Sequence, residues 1–405
     1  MNDGNSNHTY AHLPEDLILK ILDAVPDSVK KMNEMFDFQD KPRQEGIAFL
    51  REEGLIKELQ NTEHTDSIMA VDGGNIIEKM SGADILLAVA VGVEGLRDFA
   101  KTSSDGWSPE GNQYYQWQTI MPHDEATPRL CQGVMFLMEL SVLSNASHDI
   151  KIMDGTHFTP LLKINSMLSA REERAGKEYA DALRNFLEKT YDKVIPDVPD
   201  IIKNALSDEN IVAFAKYSSS RDILDAYVKN DEIILDDKTF FTLSLEEGEY
   251  TKPLSVGQSS QEREKIWNDL HIQCNLDLDD VSMPELNKRL QDVIEPIRTR
   301  QNKTRKESEV FFTYYKPHKY GTACRIECKK SLANDGKKFE RLLSSIKRQI
   351  VYPDIREQFP QHLADSMAKS VSGGLFALQD AIRLSADLSI KDNDRLSLLF
   401  PYRSK

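Results

Sequence analysis

Cysteine is scarce in this chain, and its few positions form no recognisable pattern. Only four cysteines occur in 405 residues. Cys324 and Cys328 lie close together, but no second Cys or His pair stands at a matching spacing. The sequence therefore argues against a disulfide framework and against a closed structural zinc site. Scattered thiols are typical of a reducing compartment, so we expect a cytoplasmic protein.

Long hydrophobic runs are lacking as well. The longest, ILLAVAVGV at residues 85–93, is far shorter than the roughly 18 residues that a membrane-spanning helix needs. The first residues, MNDGNSNHTYAHLPEDL, have neither the basic start nor the apolar segment of a secretory signal. We therefore expect no association with a membrane.

Three common catalytic motifs are also missing. The chain has no G-x-x-x-x-G-K-[ST], no G-x-S-x-G and no C-x-x-C, which argues against P-loop ATP hydrolysis, esterase and thiol-redox chemistry. The segment IMDGT at residues 152–156 approaches the D-x-D-G-T motif of haloacid-dehalogenase-type phosphatases. Because Ile152 stands where that motif requires its nucleophilic aspartate, this class is rejected.

Positive charge is in deficit. The chain has 51 Lys and Arg residues against 66 Asp and Glu, a formal net charge of −15 at pH 7. Averaged over the surface, this charge disfavours nucleic acid and anionic membranes as partners. A surface average does not exclude a local channel of positive potential, and a metal site itself requires carboxylates. For any nucleic-acid partner, the charge thus predicts weak unaided binding.

The composition is that of a folded protein, with 40% hydrophobic and 29% charged residues. Hydrophobic periodicity predicts a helical region over residues 14–62, interrupted near Pro26 and over residues 37–43. Three short segments between residues 67 and 93 predict three strands: SIMAVDGG, NIIEKM and DILLAVAVGV. Further strand patterns alternate with helical ones, at residues 114–121, 149–155, 210–216, 238–245, 310–315 and 323–329. The fold class is therefore α/β, a mixed sheet with helices packed on it.

Two aspartates each follow a predicted buried strand and precede a glycine. They are Asp72 in IMAVDGG and Asp154 in DIKIMDG. An Asp-Gly pair is a strong turn signal, so each aspartate has a structural interpretation as a turn residue. A carboxylate at the end of a buried strand must otherwise be solvated, paired or bound to a cation.

Glu139 is the only acid in the helical run GVMFLMELSVLS. Either it lies at the solvent edge of an amphipathic helix, or it is buried against a cation or hydrogen-bond partner. If this helix packs on the strand of Asp154, then Glu139, Asp72 and Asp154 converge on one oxygen-rich site. Carboxylates without His or Cys partners suit Mg²⁺ or Mn²⁺, and such sites carry out two-metal phosphodiester hydrolysis.

Several blocks, in order along the chain, resemble the NurA family of nucleases, which work with the hexameric DNA-translocating ATPase HerA. They are DGG at Asp72 (the family usually has DGS), the helix of Glu139, DGT at Asp154, FAKYSSSRDIL with Lys216, LEEGEYTKPL with Gly248, FFTYYK, RIECKK with Arg325 and Glu327, and VYPDIREQFPQHLADSMAKSV. Each block is weakly specific alone, but their order is much harder to obtain by chance.

This resemblance implies an RNase H-like mixed sheet flanked by helices, and a homodimer. It implies Mn²⁺-dependent (or Mg²⁺-dependent) exonuclease activity on DNA from 5′ to 3′, and endonuclease activity on single strands. By the same resemblance, Asp72, Glu139 and Asp154 are metal-binding carboxylates. The chain then divides into a helical N-terminal extension, residues 1–64, and a nuclease domain, residues 65–405, with a helical insertion at about 258–307.

The family also uses a Tyr and a His in its C-terminal signature. Tyr352 keeps the Tyr-Pro pair, but Pro360 stands where the family has His. We assign these two roles to Tyr352 and His362, and take Asp365 as a substitute metal ligand. The alternative for His362 is a histidine at a helix start without a catalytic role.

Three further sets of residues have both a functional and a structural interpretation. Lys216 follows a buried strand, where it neutralises a phosphate or carboxylate or simply reaches solvent. Arg325 and Glu327 point to the same face of a strand, which favours a structural ion pair. Aromatic side chains of one strand stack on single-stranded bases or pack in the core, and we expect core packing for at least two of Tyr114, Tyr115 and Trp117.

Two functions remain open from the sequence. The first is a metal-dependent DNA nuclease that acts with a HerA-like ATPase in DNA end processing or in defence against phage DNA. The second is a catalytically weakened NurA-like subunit that binds and regulates the ATPase, which the altered C-terminal signature favours.

Overall fold

A computed structural model of the protein describes residues 14–60, 66–96, 113–169, 177–187, 198–216, 218–256, 310–351, 357–371 and several helical positions between 373 and 385. The predicted insertion at 258–307 and the signature residue Tyr352 lie outside the described residues. The division into an extension and a nuclease domain stays a prediction.

Ten strands of the described part form one mixed sheet. They are β1 (Ile56–Glu58), β2 (Ile68–Lys79), β3 (Asp84–Glu94), β4 (Tyr114–Met121), β5 (Ile150–Asp154), β6 (Ile211–Ala215), β7 (Glu249–Thr251), β8 (Leu254–Ser255), β9 (Val310–Tyr315) and β10 (Cys324–Lys329). Their order is β1-β7-β9-β10-β6-β5-β2-β3-β4, and β8 pairs with β9. Only the pairs β2–β5 and β5–β6 are parallel, so the predicted mixed sheet is confirmed.

Helices cover both faces of this sheet. They are α1 (Glu15–Asp23), α2 (Val25–Glu52), α3 (Thr127–Asn145), α4 (Thr159–Ser169), α5 (Lys177–Leu187), α6 (Val198–Ser207), α7 (Asp237–Ser244), α8 (Lys330–Asn334), α9 (Gly336–Gln349) and α10 (Phe359–Lys369), with one π-helical turn at Leu224–Val228. None of the described helices is long and apolar enough to cross a membrane.

The alternation of side chains along β2 divides the core into two layers. Met69 and Val71 point to one face and belong to the cluster that contains the apolar side chains of α3. Ile68 and Ala70 point to the other face and pack with the apolar side chains of α9. Because the first part of β2 is buried on both faces, its sequence is a continuous apolar run, residues 68–71.

The Asp72-Gly73-Gly74 segment does not turn, contrary to the predicted break between two strands. β2 runs straight through it, and Asp72 pairs with Val91 of β3. The hairpin interpretation of Asp72 is therefore wrong. These glycines are required by close packing, since a side chain at either position would collide with α3 or α10.

Two other predictions about local structure are also wrong. Residues 238–245 form α7 rather than a strand, because Asp236 caps the helix by accepting a hydrogen bond from the Thr239 N–H at 2.8 Å. The predicted break over residues 37–43 is absent, since α2 continues through Pro42. Tertiary packing outweighs the polar sequence here, because the Gln39 side chain is fully buried.

Candidate active site

Two parallel strands bring the two predicted aspartates side by side. The register pairs Val71 of β2 with Met153 of β5. Because the strands are parallel, the next residue of each strand is an aspartate, Asp72 and Asp154. Asp154 ends β5, and Gly155 then turns the chain with a positive φ of 87°. The Asp-Gly turn signal is correct for Asp154 alone.

Glu139 approaches these aspartates from α3. Its side chain is only 2% exposed, so the solvent-edge interpretation is wrong. α3 lies so close to β2 that a Cβ atom added to Gly73 would stand 2.3 Å from Glu139 Oε1 and 2.6 Å from Met135 Cγ. Glycine at position 73 thus leaves the space that the Glu139 carboxylate occupies.

The ammonium group of Lys216 lies among the carboxylates. Lys216 directly follows β6, and its Nζ is 3.8 Å from Asp72 Oδ2 and 3.7 Å from Asp154 Oδ1. It is also 3.0 Å from Glu357 Oε2 and 3.6 Å from Asp365 Oδ1. The functional interpretation of Lys216 is therefore supported by its position, with a carboxylate as its partner.

One face of α10 completes the cluster. The Gln361 side chain is fully buried, and its amide donates a hydrogen bond to Asp154 Oδ1 at 2.8 Å. Asp365 lies one helical turn further along. The helix is held against β2 at Gly74, where an added Cβ would stand 2.4 Å from the Ala368 carbonyl oxygen.

The acids at the centre of the site hold their protons more tightly than usual. Burial, the nearby Asp154 carboxylate and a hydrogen bond with Asp365 raise the pKa of Asp72 to about 7, although Lys216 acts in the opposite direction. Burial and the charges of Asp72 and Asp154 raise the pKa of Glu139 well above its usual value. Burial also raises the pKa of Asp154. The carboxylates therefore lack sufficient positive charge around them.

The pKa values of Lys216 and Asp365 are shifted in the opposite sense, towards the charged form of each group. Burial lowers the pKa of Lys216, but the Asp154, Glu357 and Asp72 carboxylates outweigh it and raise the pKa overall. For Asp365, burial raises the pKa, and the hydrogen bond from Lys369 together with the charge of Lys216 brings it below the usual value.

The donor set fits an oxygen-preferring divalent cation. Among the described residues, no three His, Cys, Asp or Glu side chains already form a metal cage, and Lys216 lies where their charges converge. The central acids are nevertheless buried, have raised pKa values and offer only oxygen, which is the ligand type of Mg²⁺ and Mn²⁺. Asp72, Glu139 and Asp154 are the residues that would hold such an ion.

The C-terminal signature is placed only in part. His362 is at the start of α10, with Nδ1 3.3 Å from Glu357 Oε1, and its side chain is 45% exposed. It points to Glu357 at the rim of the cluster. Asp365, the predicted substitute ligand, lies within the cluster beside Lys216.

Sequence reasoning missed two residues of the site, Glu357 and Gln361. A signal for them exists in the sequence. Glu357, Gln361 and Asp365 recur every four residues, the spacing of one helix face.

The remaining predicted residues are structural. Arg325 and Glu327 form a buried ion pair, with Arg325 Nη2 3.2 Å from Glu327 Oε1, and Asp222 binds the same guanidinium at 3.0 Å. The predicted structural ion pair is thus confirmed. The prediction for the aromatic strand is also confirmed, since Tyr115 and Trp117 are buried in the core while Tyr114 is exposed.

Comparison with known proteins identifies one family. A family model described as the NurA domain matches residues 66–357, whereas no curated protein matches the chain. The crystal structure of the NurA nuclease from Sulfolobus solfataricus is similar at 15% identity, covering 94% of this chain and 100% of that chain, with a TM-score of 0.54. A crystal structure of NurA bound to dAMP and manganese matches at 12% identity, covering 87% and 93% of the two chains, with a TM-score of 0.44.

Proposed function

The chain belongs to the NurA domain family, and from this membership and the geometry of its acids we propose that it is a metal-dependent DNA nuclease. The observation that carries the proposal is the convergence of Asp72, Glu139 and Asp154. They come from two strands and a helix, and all three have raised pKa values. Burying three acids at one point is costly unless a cation binds there.

The metal we propose is Mn²⁺ or Mg²⁺. When bound, such an ion supplies an activated water and neutralises charge on the scissile phosphate. The protein's own contribution is the placement of the acids. Asp72 and Asp154 lie at the same level of neighbouring strands, and Glu139 is fixed above Gly73. The Gln361 amide sets the direction of one Asp154 oxygen.

Lys216 has two tasks in this proposal. In the protein without metal, its ammonium offsets the mutual repulsion of the carboxylates at 3.0–3.8 Å. Once the acids are neutralised, the same ammonium is available to bind a phosphate oxygen of the substrate, since lysine is a flexible point charge. The site is thereby held together before substrate arrives.

The finer features of the proposal come from the family. We propose 5′ to 3′ exonuclease and single-strand endonuclease activity, a homodimer, a cytoplasmic location and a HerA-like ATPase partner, in DNA end processing or defence against phage. Tyr352 and His362 are the proposed signature residues. The net charge of −15 supports a need for the ATPase to deliver DNA. An RNase H-like core is supported by the strand order β4-β3-β2-β5-β6 within the sheet.

The second candidate is a weakened subunit that regulates the ATPase. It is favoured by Pro360, which occupies the histidine position of the family signature, and by the 45% exposure of the His362 side chain. In this case the acid cluster still binds metal, but the chain does not cut DNA.

Isosteric variants separate the two candidates. Asp154→Asn and Glu139→Gln should abolish Mn²⁺-dependent degradation of linear DNA by the purified protein or its ATPase complex, while circular dichroism shows an intact fold. Asp231→Asn, at an exposed position, is the control and should cut DNA at the normal rate. Cleavage that persists in the two site variants contradicts the nuclease site. A wild-type complex that forms but cuts no DNA favours the regulatory subunit.

A further inference from the structure

The N-terminal arm, defined as residues 15–38, exposes apolar side chains along its whole length. α1 contributes no buried residue, and the first buried side chain of α2 is Gln39. The arm is nevertheless rich in large apolar residues that are at least 40% exposed: Leu17, Leu19, Ile21, Leu22, Val25, Val29, Met32, Met35 and Phe38. Monomeric proteins rarely expose a contiguous apolar surface of this extent.

The apolar residues of the arm follow a heptad repeat. Spacings alternate between four and three residues in the series Ile18, Leu22, Val25, Val29, Met32 and Phe36. This is the a/d pattern of a coiled coil, in which each seam residue packs between four residues of a partner helix. We call these six residues the heptad seam. At 1.5 Å per residue, it is roughly 30 Å long.

The seam continues directly into the surface by which α2 packs on the rest of the protein. The next positions of the same series are Gln39, Arg43, Gly46 and Leu50. Gln39 donates to the Glu232 carbonyl at 3.0 Å and accepts from the Ile234 N–H at 2.9 Å. Thus this face of α1 and α2 is covered from Gln39 onwards, whereas in the arm Leu22, Val25, Val29 and Met32 are exposed and Ile18 and Phe36 are half-buried.

The flanks of the seam are free of charge. The residues beside it, at the e and g heptad positions, are Leu19, Ile21, Pro26, Ser28, Asn33 and Met35. Every charged residue between 18 and 36 lies on the remaining b, c and f positions: Lys20, Asp23, Asp27, Lys30, Lys31 and Glu34. Two copies of this surface therefore meet without facing like charges, although each chain carries a net charge of −15.

We propose that the heptad seam is a docking surface for the same seam of a second copy of this chain. The inference deepens the proposed homodimer and rests on that part of the proposed function; it is independent of nuclease activity. In a two-fold symmetric contact the same surface of both chains is buried, so each residue of the heptad seam faces seam residues of the second copy. Apolar seam residues with uncharged flanks suit such a contact. An oppositely charged partner would instead be matched by charges at the e and g positions.

The test measures the oligomeric state of the full-length protein by sedimentation equilibrium. The double variant Val29→Glu/Met32→Glu alters two seam residues that are 44% and 50% exposed, so the monomer should still fold. Phe38→Glu is the matched control, because Phe38 is an apolar residue of the same helix, 66% exposed and off the seam. We expect the double variant to dimerise at least about tenfold more weakly, because like charges then face each other across the interface. Phe38→Glu should dimerise as wild type does.

The contrary outcomes separate the seam from the homodimer itself. A dimeric double variant with unchanged affinity overturns the seam while leaving the proposed homodimer in place. A monomeric wild-type protein at all concentrations overturns both. If the double variant stays dimeric and loses only its binding to a HerA-like ATPase, the occupant of the seam is the ATPase and the second-copy assignment is wrong. Circular dichroism and thermal unfolding of both variants establish that they are folded.

Discussion

The side-chain amide of Gln361 lies 2.8 Å from Oδ1 of Asp154, so a residue of α10 sets the orientation of a carboxylate on β5. Gln361 is fully buried, and its Oε1 accepts no hydrogen bond from the described residues. The amide is therefore fixed by its contact with Asp154. A group that orients a metal-binding carboxylate in this way affects metal affinity without touching the metal.

Gln361→Leu should weaken Mn²⁺ binding by about 10- to 100-fold, because Asp154 loses the donor that fixes its direction. Isothermal titration calorimetry of Mn²⁺ into the purified protein measures the effect. Gln358→Leu is the control, since Gln358 is equally buried and precedes the same helix. Equal Mn²⁺ affinities of the two variants would show that Gln361 has no positioning role.

Stability of the metal-free protein should fall as the pH rises from about 4 to 7. The pKa of Asp72 is about 7 in the folded protein, whereas an unfolded aspartate has a pKa of about 3.9. Between these values the folded state binds more protons, so stability is greatest below the lower value and is lost as pH rises towards the higher one. Thermal unfolding in EDTA at pH 5 and pH 8 measures the loss. Asp72→Asn should show a smaller loss than wild type, and an equal loss in both proteins contradicts the assignment.

Metal binding should show the opposite dependence on pH. A carboxylate must lose its proton to bind a divalent ion, so the Mn²⁺ affinity should rise from pH 6 to pH 8 as Asp72 ionises. Calorimetry in two buffers of different ionisation enthalpy should detect proton release on binding at pH 6. An affinity independent of pH over this range would place Asp72 outside the metal site.

Lys216→Met should destabilise the metal-free protein, because four carboxylates within 3.0–3.8 Å lose their shared ammonium. Mn²⁺ should then raise the unfolding temperature of this variant more than that of wild type, since the ion replaces the missing charge. Differential scanning calorimetry with EDTA or Mn²⁺ gives both values. Lys203→Met, at an exposed position of α6, should behave as wild type. If Mn²⁺ stabilises Lys216→Met no more than wild type, the shared-counterion role is wrong.

Gly73→Ala should lower the free energy of unfolding by about 1–3 kcal/mol, the usual cost of overpacking, and should weaken Mn²⁺ binding. The new methyl group would stand 2.3 Å from Glu139 Oε1 and would displace that carboxylate. Urea unfolding measures the first effect and calorimetry the second. Gly336→Ala is the control, because an added Cβ there meets nothing within 4 Å. An unchanged Mn²⁺ affinity in Gly73→Ala would show that Glu139 is not a ligand.

The acids were predictable from the sequence because each is an anomaly in an apolar segment. Glu139 is the only acid in a hydrophobic helical segment, and Asp154 ends a buried strand. An acidic residue with apolar neighbours is enough to identify both as candidate site residues. The two glycines after Asp72 were misleading, because a glycine that permits close packing has the same sequence signature as a glycine that permits a turn. Only the approach of α3 and α10 in three dimensions distinguishes the two.

The C-terminal part of the site was less predictable for a different reason. Gln361 and Glu357 come from a segment far along the chain from Asp154 and Lys216, and no local pattern reveals which strand a helix will contact. α7 shows the same limit at smaller scale. Its aromatic residues favour a strand, and the helix forms because Asp236 caps it and because Phe240 and Phe241 are both buried in the core.

Because α10 packs on β2 at Gly74, the residues that complete the cluster are among the last to be synthesised. A ribosome produces the strands of Asp72 and Asp154, and then Lys216, long before it reaches residues 357–369. Until then the nascent chain has its acids but lacks Gln361, Asp365 and the helix that covers them. Translation products that stop before α10 are therefore incomplete at the candidate active site, and a cell makes the complete cluster only from chains that have been read past Lys369.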